Sequence, residues 1–328
     1  MRRFLVLPFI VLTLACNLVT APPPTLTIAT LRAQATALPS LTPPPGPSAG
    51  APTPSLIPAD EPTGKIAYTC QLDGDQICII NADGTGFRQL TSDAHRRWYA
   101  SMAPDGASVI YSGFAEDNIY EIYELNLTSG LVTQLTDQLG VLLAPEISPD
   151  GSLVVFTRGD AQGASQIWLM ERGGANPRQI HARGWDATWS PDGSQILFAS
   201  DAEGAKNLYV MNRDGSNARR VTDFDSLRGR SDWSPDGAWM VTYNGQPWKR
   251  EVFIFRPDFS ELRRLTPEGG NSQGPSFSPD GKWVAFTSYF DNYGEDLGCE
   301  IYIIRIDGTD LRRLTENDYC DYQPRWGQ

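Results

Sequence analysis

Four carboxylate side chains are the residues with which this chain could carry out acid–base chemistry. They lie on or just before the strands that precede the repeated turns, or the equivalent C-terminal strand, and could approach a common axis. Two carboxylates on either side of a glycosidic bond can hydrolyse it, one as the acid and the other as the base or nucleophile. Glu146 and Asp232 lie deeper on their strands, which leaves open a structural role as hydrogen-bond acceptors. The set comprises Asp186, Glu146, Asp232 and Asp321.

Histidine chemistry has little support in the sequence. The chain has two histidines, His95 in a connector and His181 at a strand end two repeats further along. No Ser-His-Asp arrangement, nucleophile elbow or histidine-rich metal set accompanies them. The sequence therefore predicts a protein that is not an enzyme, with glycan cleavage by the carboxylates as the alternative.

Aromatic and charged residues just before the first strand of each repeat form a second candidate set. Flat aromatic faces can stack on a sugar or peptide, and charged groups can orient it. The sequence predicts that they surround a binding site, and the alternative is that they pack neighbouring loops. The predicted ligand-binding residues are Trp98, Tyr99, Trp185, Asp186, Arg228, Arg230, Gln273 and Tyr322.

Four cysteines in the repeat region favour disulfides, because an even number in an exported chain is typical of paired thiols. Cys70 and Cys78 lie symmetrically about a turn and could face each other across a hairpin. Cys299 and Cys320 map to the same side of the repeats. We predict the pairs Cys70–Cys78 and Cys299–Cys320. No Cys-x-x-Cys spacing indicates a zinc site.

Calcium is the one inorganic ligand that the sequence suggests, and we predict no resident cofactor. The segment Asp291–Asp296 is dense in the oxygen ligands that Ca²⁺ prefers. It lacks the spacing of an EF-hand loop, so a solvated acidic loop is the favoured interpretation. The chain is acidic, with a formal net charge of −12. Such a chain is a poor partner for nucleic acid, whose phosphates require Lys and Arg.

A repeated tetrapeptide marks the repeats whose strands position these residues. Its prolines lie 45, 42, 44 and 44 residues apart. A period in the low forties, with several short strands in each unit, is typical of a propeller blade. The five copies are Ala103–Gly106, Ser148–Gly151, Ser190–Gly193, Ser234–Gly237 and Ser278–Gly281.

Each repeat predicts four short strands and no helix. No segment has a sustained 3.6-residue apolar stripe, so the fold class is all-β. In such a blade, the loops between the second and third strands share one face with the connectors between blades. We call this the connector face and the opposite face, which carries the tetrapeptides, the turn face. Recurring aromatic residues on the strands, such as Trp189, Phe198 and Tyr209, are expected to pack between blades.

A count of strand endings indicates how the ring closes. The fourth strand ends in an apolar residue followed by Thr or His six times, against five tetrapeptides. The repeat region begins at Gly64 with a second strand and ends at Trp326 with a first strand. The C-terminal strand should therefore complete the first blade, giving six blades with no open edge.

The repeat pattern resembles the WD40-like repeats of the TolB propeller family. Trp189-Ser190-Pro191-Asp192-Gly193, an aromatic second strand and the closing Val221-Thr222 carry the resemblance, which spans about residues 64–327. It implies a periplasmic binding protein with a partner in the cell envelope. TolB carries an α/β domain before its propeller. In this chain, the residues before the repeats are instead rich in Pro, Thr, Ser and Ala.

The N-terminal residues predict export and a lipid anchor. Residues 1–15 read as a lipoprotein signal peptide, because a basic start precedes a short apolar run and small residues precede Cys16. An ordinary secretory signal with an incidental cysteine is the alternative. Residues 16–63 contain 12 of the 25 prolines and predict a disordered tether after the lipidated Cys16. The propeller is predicted over residues 64–328.

The predicted function is binding on the outside of a bacterial membrane. A lipid-anchored, monomeric propeller in the periplasm or at the cell surface would take a cell-envelope protein or an oligosaccharide at its connector face. The two alternatives are a glycan-cleaving enzyme that uses the carboxylates and a scaffold without a defined pocket.

Overall fold

The computed structural model describes residues 61–117, 119–160, 163–225, 227–290 and 298–328. The predicted signal peptide, the lipidation site Cys16, nearly all of the tether and the acidic segment Asp291–Asp296 lie outside them. The repeats belong to one compact unit, Pro58–Gln328. None of the described segments contains a helix long and apolar enough to cross a membrane.

The described residues form 24 β-strands, grouped as six blades of four. The first blade contains β1 (Lys65–Cys70), β2 (Gln76–Asn81) and β3 (Arg88–Gln89). The second contains β4 (Arg97–Met102), β5 (Ser108–Glu116), β6 (Ile119–Asn126) and β7 (Val132–Gln134). The third contains β8 (Val141–Ile147), β9 (Leu153–Gly159), β10 (Ser165–Glu171) and β11 (Arg178–His181).

The second half of the ring repeats this arrangement. The fourth blade contains β12 (Trp185–Trp189), β13 (Gln195–Ser200), β14 (Asn207–Asn212) and β15 (Arg219–Arg220). The fifth contains β16 (Leu227–Trp233), β17 (Met240–Asn244), β18 (Glu251–Phe255) and β19 (Arg263–Arg264). The sixth contains β20 (Gln273–Phe277), β21 (Trp283–Ser288), β22 (Glu300–Arg305) and β23 (Arg312–Arg313). The last strand is β24 (Asp321–Gly327).

The closure predicted from the strand count is confirmed. β24 pairs antiparallel with β1, from Lys65 opposite Gly327 to Cys70 opposite Asp321. The indole Nε1 of Trp326 donates to the carbonyl of Thr63 at 2.8 Å. The first blade is therefore built from both ends of the repeat region, in the order β24-β1-β2-β3.

The core lies between the blades rather than within them. Six clusters of buried apolar side chains each join two neighbouring blades, including the first and the sixth. Trp189, Phe198 and Tyr209 pack in the cluster between the third and fourth blades, as the sequence predicted. The second and third blades are also linked by one parallel pairing, where the amide of Tyr120 donates to the carbonyl of Gly140 at 3.0 Å.

Hydrogen bonds within the tetrapeptide explain why its residues recur. In the copy at Ser190, the hydroxyl donates to Asp192 at 2.6 Å and accepts the amide of Gln195 at 2.9 Å. Gly193 has φ of 68°, which a residue without a side chain adopts readily. The Ser190 hydrogen bond is the main cause that lowers the pKa of Asp192 to about 2. The motif is thus a self-contained turn.

Both predicted disulfides are present, Cys70–Cys78 across the first hairpin and Cys299–Cys320. The second links the start of the sixth blade's third strand to the connector that leads into β24. It closes a loop with a sequence separation of 21 residues.

Replacing Cys299 and Cys320 with serine is expected to lower the free energy of unfolding by about 3 kcal/mol, because the bond restricts the unfolded chain. Urea denaturation under non-reducing conditions measures the change. The Cys70→Ser/Cys78→Ser variant is the control, and it should lose slightly less because its loop is shorter. An unchanged urea midpoint in the Cys299/Cys320 variant would contradict the expectation.

Candidate functional site

A β-bulge in every innermost strand shapes the centre of the ring. The register shifts at the same place in each blade, for example between Trp98 and Ser101 in β4 and between Trp185 and Thr188 in β12. Bulges re-aim side chains and are frequent beside functional sites. The residue five positions before the turn proline, or its equivalent in β24, lies at the bulge. We call these residues the upper layer: Tyr99, Ala144, Asp186, Arg230, Gly274 and Gln323.

Several upper-layer residues adopt a backbone conformation that is uncommon for residues with a side chain. Tyr99, Asp186 and Gln323 have φ of 57°, 51° and 57°. Neighbouring side chains hold the bulges in place. The amide of Asp186 donates to Thr157 Oγ1 at 3.0 Å, and the amide of Gln323 donates to Thr287 Oγ1 at 3.1 Å. Such strained positions cluster at binding and active sites.

A pocket of about 340 Å³ lies at the centre of the connector face. All of the upper layer except Ala144 lines it. Its volume is at the lower end of the range for small-ligand sites. The remaining lining residues come from innermost strands, from second strands and their ends, from a connector and from the start of the β1–β2 loop: Gln71, Tyr243, Gln273, Thr287, Tyr289, Cys320 and Tyr322.

Arg230 is the buried cation of the pocket, with 4% of its surface exposed. Its guanidinium lies 5.4 Å from the ring centroid of Tyr99, and Nη2 donates to the carbonyl of Ala100 at 3.3 Å. Nε and Nη1 make no hydrogen bond with any described residue. Burial, with repulsion from Arg325, lowers the pKa of Arg230 to about 10, so the side chain stays charged at neutral pH.

One carboxylate accompanies this cation. Asp186 accepts the backbone amide of Arg230 through Oδ2 at 3.0 Å. Burial raises the pKa of Tyr99 to about 12, and Asp186 adds to this effect. Burial also raises the pKa of Tyr243 and Tyr322 above the usual range. The pocket therefore combines one positive charge, one carboxylate and neutral phenols.

A second layer lies two positions further along each innermost strand, nearer the turn face. Arg325 forms ion pairs there with Glu146, at 2.5 Å from Nε to Oε1, and with Asp232, at 3.6 Å from Nη1 to Oδ2. Its Nη2 also donates to the carbonyl of Ser231 at 3.2 Å. Burial raises the pKa of Glu146, although Arg325 opposes the shift. We call Arg325, Glu146 and Asp232 the lower-layer ion cluster, and none of the three lines the pocket.

The structure does not bring the four predicted carboxylates together as a hydrolytic pair. Only Asp186 lines the pocket. Glu146 and Asp232 are held by Arg325, and Asp232 also accepts the Ser276 hydroxyl at 2.9 Å. Asp321 is fully buried and accepts Asn317 Nδ2 at 2.8 Å. Glu146 and Asp232 therefore lie deeper than Asp186, in keeping with their role as structural acceptors rather than with the alternative of a hydrolytic pair.

Asp321 gives the fold a pH dependence. Burial raises its pKa to about 7, so the folded state binds the proton more tightly than the unfolded chain. Its contribution to stability is therefore full below pH 4 and is lost as the pH rises towards 7. Asp321→Asn should stabilise the protein by about 2–4 kcal/mol at pH 8 and have little effect at pH 4. Thermal unfolding across this pH range measures the difference, and equal shifts at both pH values would contradict it.

The structure divides the eight predicted ligand-binding residues. Tyr99, Asp186, Arg230, Gln273 and Tyr322 share the pocket.

Trp98 instead packs on Tyr120, with ring centroids 5.3 Å apart, and beneath the guanidinium of Arg96. Trp185 lines a separate cavity beside Lys206. Both tryptophans immediately precede a bulge residue, as Gln273 and Tyr322 do, but neither tryptophan lines the central pocket. Arg228 lies in β16, and its side chain falls outside the described residues.

Other pocket residues were missed by the sequence interpretation. Tyr243 and Thr287 lie on second strands and Tyr289 follows one, although only first strands were considered. The sequence could have indicated Gly274 as a pocket residue, because it lies as far before its turn proline as Asp186 does.

The histidines and acidic groups indicate no second site. His181 packs on Phe198 with ring centroids 4.8 Å apart, and burial lowers its pKa. His95 lies beside Asp93 on another blade. No cluster of three or more His, Cys, Asp or Glu side chains that could hold a metal ion occurs in the described parts of the chain. The proposed calcium segment Asp291–Asp296 lies outside those parts.

These features define the class of protein: a closed six-bladed β-propeller with a polar pocket at its centre. The chain belongs to the TolB beta propeller domain family, whose model matches residues 62–328.

Comparison with individual proteins gives a consistent result. TolB from Acinetobacter baumannii is similar in structure, with a TM-score of 0.72 and 24% identity over 83% of this chain and 68% of that one. A putative TolB from Agrobacterium tumefaciens has a TM-score of 0.63 and 20% identity over 82% of this chain and all of that one. These likenesses concern the fold.

An uncharacterised protein of Agrobacterium fabrum is 32% identical over 127 residues. The match covers 38% of this chain and 42% of that relative.

Proposed function

We propose that this chain is a non-catalytic, extracytoplasmic binding propeller that takes a cell-envelope protein at its connector face. The observation that carries the proposal is Arg230, a buried guanidinium with two nitrogens that lack acceptors among the described residues, in a pocket at the centre of that face. Buried donors are almost always paired, and an unpaired one that lines a pocket supports a position where a ligand supplies the acceptor. Membership of a family whose solved members include TolB supports a binding role.

The N-terminal segment would place this propeller at a membrane. Under this proposal, residues 1–15 direct export, Cys16 carries the lipid and residues 16–63 form the tether. The propeller then acts as a monomer held near the envelope surface. The two disulfides support an oxidising compartment outside the cytoplasm.

Affinity capture from envelope extract tests the proposal. The full chain, purified in detergent, should retain a protein partner that Arg230→Gln and the pocket-blocking variant Gln71→Trp retain at least tenfold less. Arg178→Gln, an exposed arginine on the turn face, is the matched control and should capture as much as the original chain. Equal capture by all four proteins would contradict the proposed site. Capture that survives proteinase K treatment of the extract would instead indicate an oligosaccharide.

A further inference from the structure

The central pocket presents a cation and a carboxylate as immediate neighbours. Arg230 and Asp186 are joined by a 3.0 Å hydrogen bond from the Arg230 amide to Asp186 Oδ2. Nε and Nη1 of Arg230 make no hydrogen bond with described residues. The matching ligand therefore has a negatively charged acceptor and, near it, an N–H or O–H donor.

The pocket also ends inside the ring. Below it, the lower-layer ion cluster joins the third, fifth and first blades through the contacts of Arg325 with Glu146 and Asp232. Arg325 is 4% exposed. A chain could not thread through this layer without breaking those ion pairs. A pocket of about 340 Å³ above it suits the end of a chain better than an internal segment.

The polar and aromatic side chains that line the pocket indicate what else the ligand contains. Three glutamines, Gln71, Gln273 and Gln323, line the pocket, and their side-chain amides can both donate and accept. Peptide groups need both kinds of partner. The aromatic rings of Tyr243, Tyr289 and Tyr322 offer apolar surface for one side chain.

We propose that the pocket binds the free C-terminus of a peptide segment. Arg230 donates to the terminal carboxylate through one of its unpaired nitrogens, Nε or Nη1, and Asp186 accepts the N–H of the last residue. The tyrosines contact the last side chain. This inference rests on the proposed function and specifies which part of the partner enters the pocket. Capture of chain termini by convergent donors is a known mode of peptide recognition.

Peptide arrays with two kinds of end test the inference. Peptides attached through their N-termini, with the last four residues randomised, are prepared once with free carboxylates and once with C-terminal amides. The full chain in detergent should bind a subset of the free acids and bind the matching amides at least tenfold more weakly. Arg230→Gln should lose at least tenfold in affinity for the acids and change little towards the amides, whereas Arg178→Gln should match the original chain.

A competition measurement on the unaltered chain separates peptide ends from small molecules and does not depend on the folding of a variant. N-acetylated amino acids should displace a bound peptide, and the corresponding N-acetyl amides should not. Stronger displacement by free amino acids than by any peptide would overturn the assignment to a peptide end.

Two further outcomes would overturn the inference: equal binding of acids and amides, and an array without any binding peptide. If envelope capture still depends on Arg230 in either case, the proposed function stands and only the C-terminal inference fails. If capture is independent of Arg230 as well, both fail.

Discussion

Replacing Arg325 with methionine should lower the free energy of unfolding by about 3–5 kcal/mol, because two largely buried carboxylates would lose their counter-ion. Arg325 contacts Glu146 and Asp232 and donates to the carbonyls of Pro275 and Ser231. Methionine keeps much of the side-chain volume, so the loss reflects charge rather than a cavity. Urea denaturation at pH 7 measures the effect.

The pH dependence of this variant identifies the cause. Burial already raises the pKa of Glu146, and removal of Arg325 raises it further. When the pKa of a carboxyl is higher in the folded than in the unfolded state, the protein becomes less stable as the pH rises from the unfolded pKa to the folded pKa. The deficit should therefore be larger at pH 8 than at pH 5.

Two control variants accompany Arg325→Met. Adding Glu146→Gln and Asp232→Asn to it should restore much of the stability. Arg312→Met, which removes a more exposed arginine paired with Asp310 and Glu61, should cost less than about 1 kcal/mol. Similar losses in Arg325→Met and Arg312→Met would contradict the role of the ion cluster.

Deletion of residues 320–328 should abolish the cooperative unfolding of the monomer or drive the chain into oligomers. β24 supplies the innermost strand of the first blade, and without it β1 presents an open edge. The deletion also removes Trp326 from a buried cluster with Tyr68 and Trp283, and it removes Arg325 from the ion cluster.

Light scattering coupled to gel filtration and circular-dichroism melting measure the outcome of this deletion. A chain that ends at Gly327 keeps β24 and is the control, which should remain a monomer with a nearly unchanged melting curve. A monomeric deletion variant that melts like this control would contradict the closure of the ring by β24.

The fold could be predicted from the sequence because its determinants are local and repeated. The Ser-Pro-Asp-Gly turn forms its own hydrogen bonds, and the period fixes one blade per copy. The count of strand endings located the closure at β24, and the spacing of the cysteines indicated both disulfides.

The site could be predicted only in part because it depends on the bulge. The sequence interpretation grouped Trp98 and Trp185 with the residues that follow them, but only the bulge residues Tyr99 and Asp186 line the pocket. The ion pairs of Arg325 join three blades that are distant in sequence, and no local sequence pattern predicts these pairs. Tyr243 and Thr287 each follow their turn proline by eight residues, but they enter from second strands, which the sequence interpretation did not consider.

Photo-crosslinking inside the cell tests most directly whether ligands bind at the connector-face pocket. The photoreactive residue p-benzoylphenylalanine would replace Gln71 or Tyr289 beside the pocket, and Arg178 or Asp214 on the turn face. We expect a crosslinked partner from both pocket positions, with a loss of crosslinking when Arg230→Gln is added, and none from the turn-face positions. Crosslinks that form only from Arg178 or Asp214, or that are unaffected by Arg230→Gln, would contradict binding at this pocket.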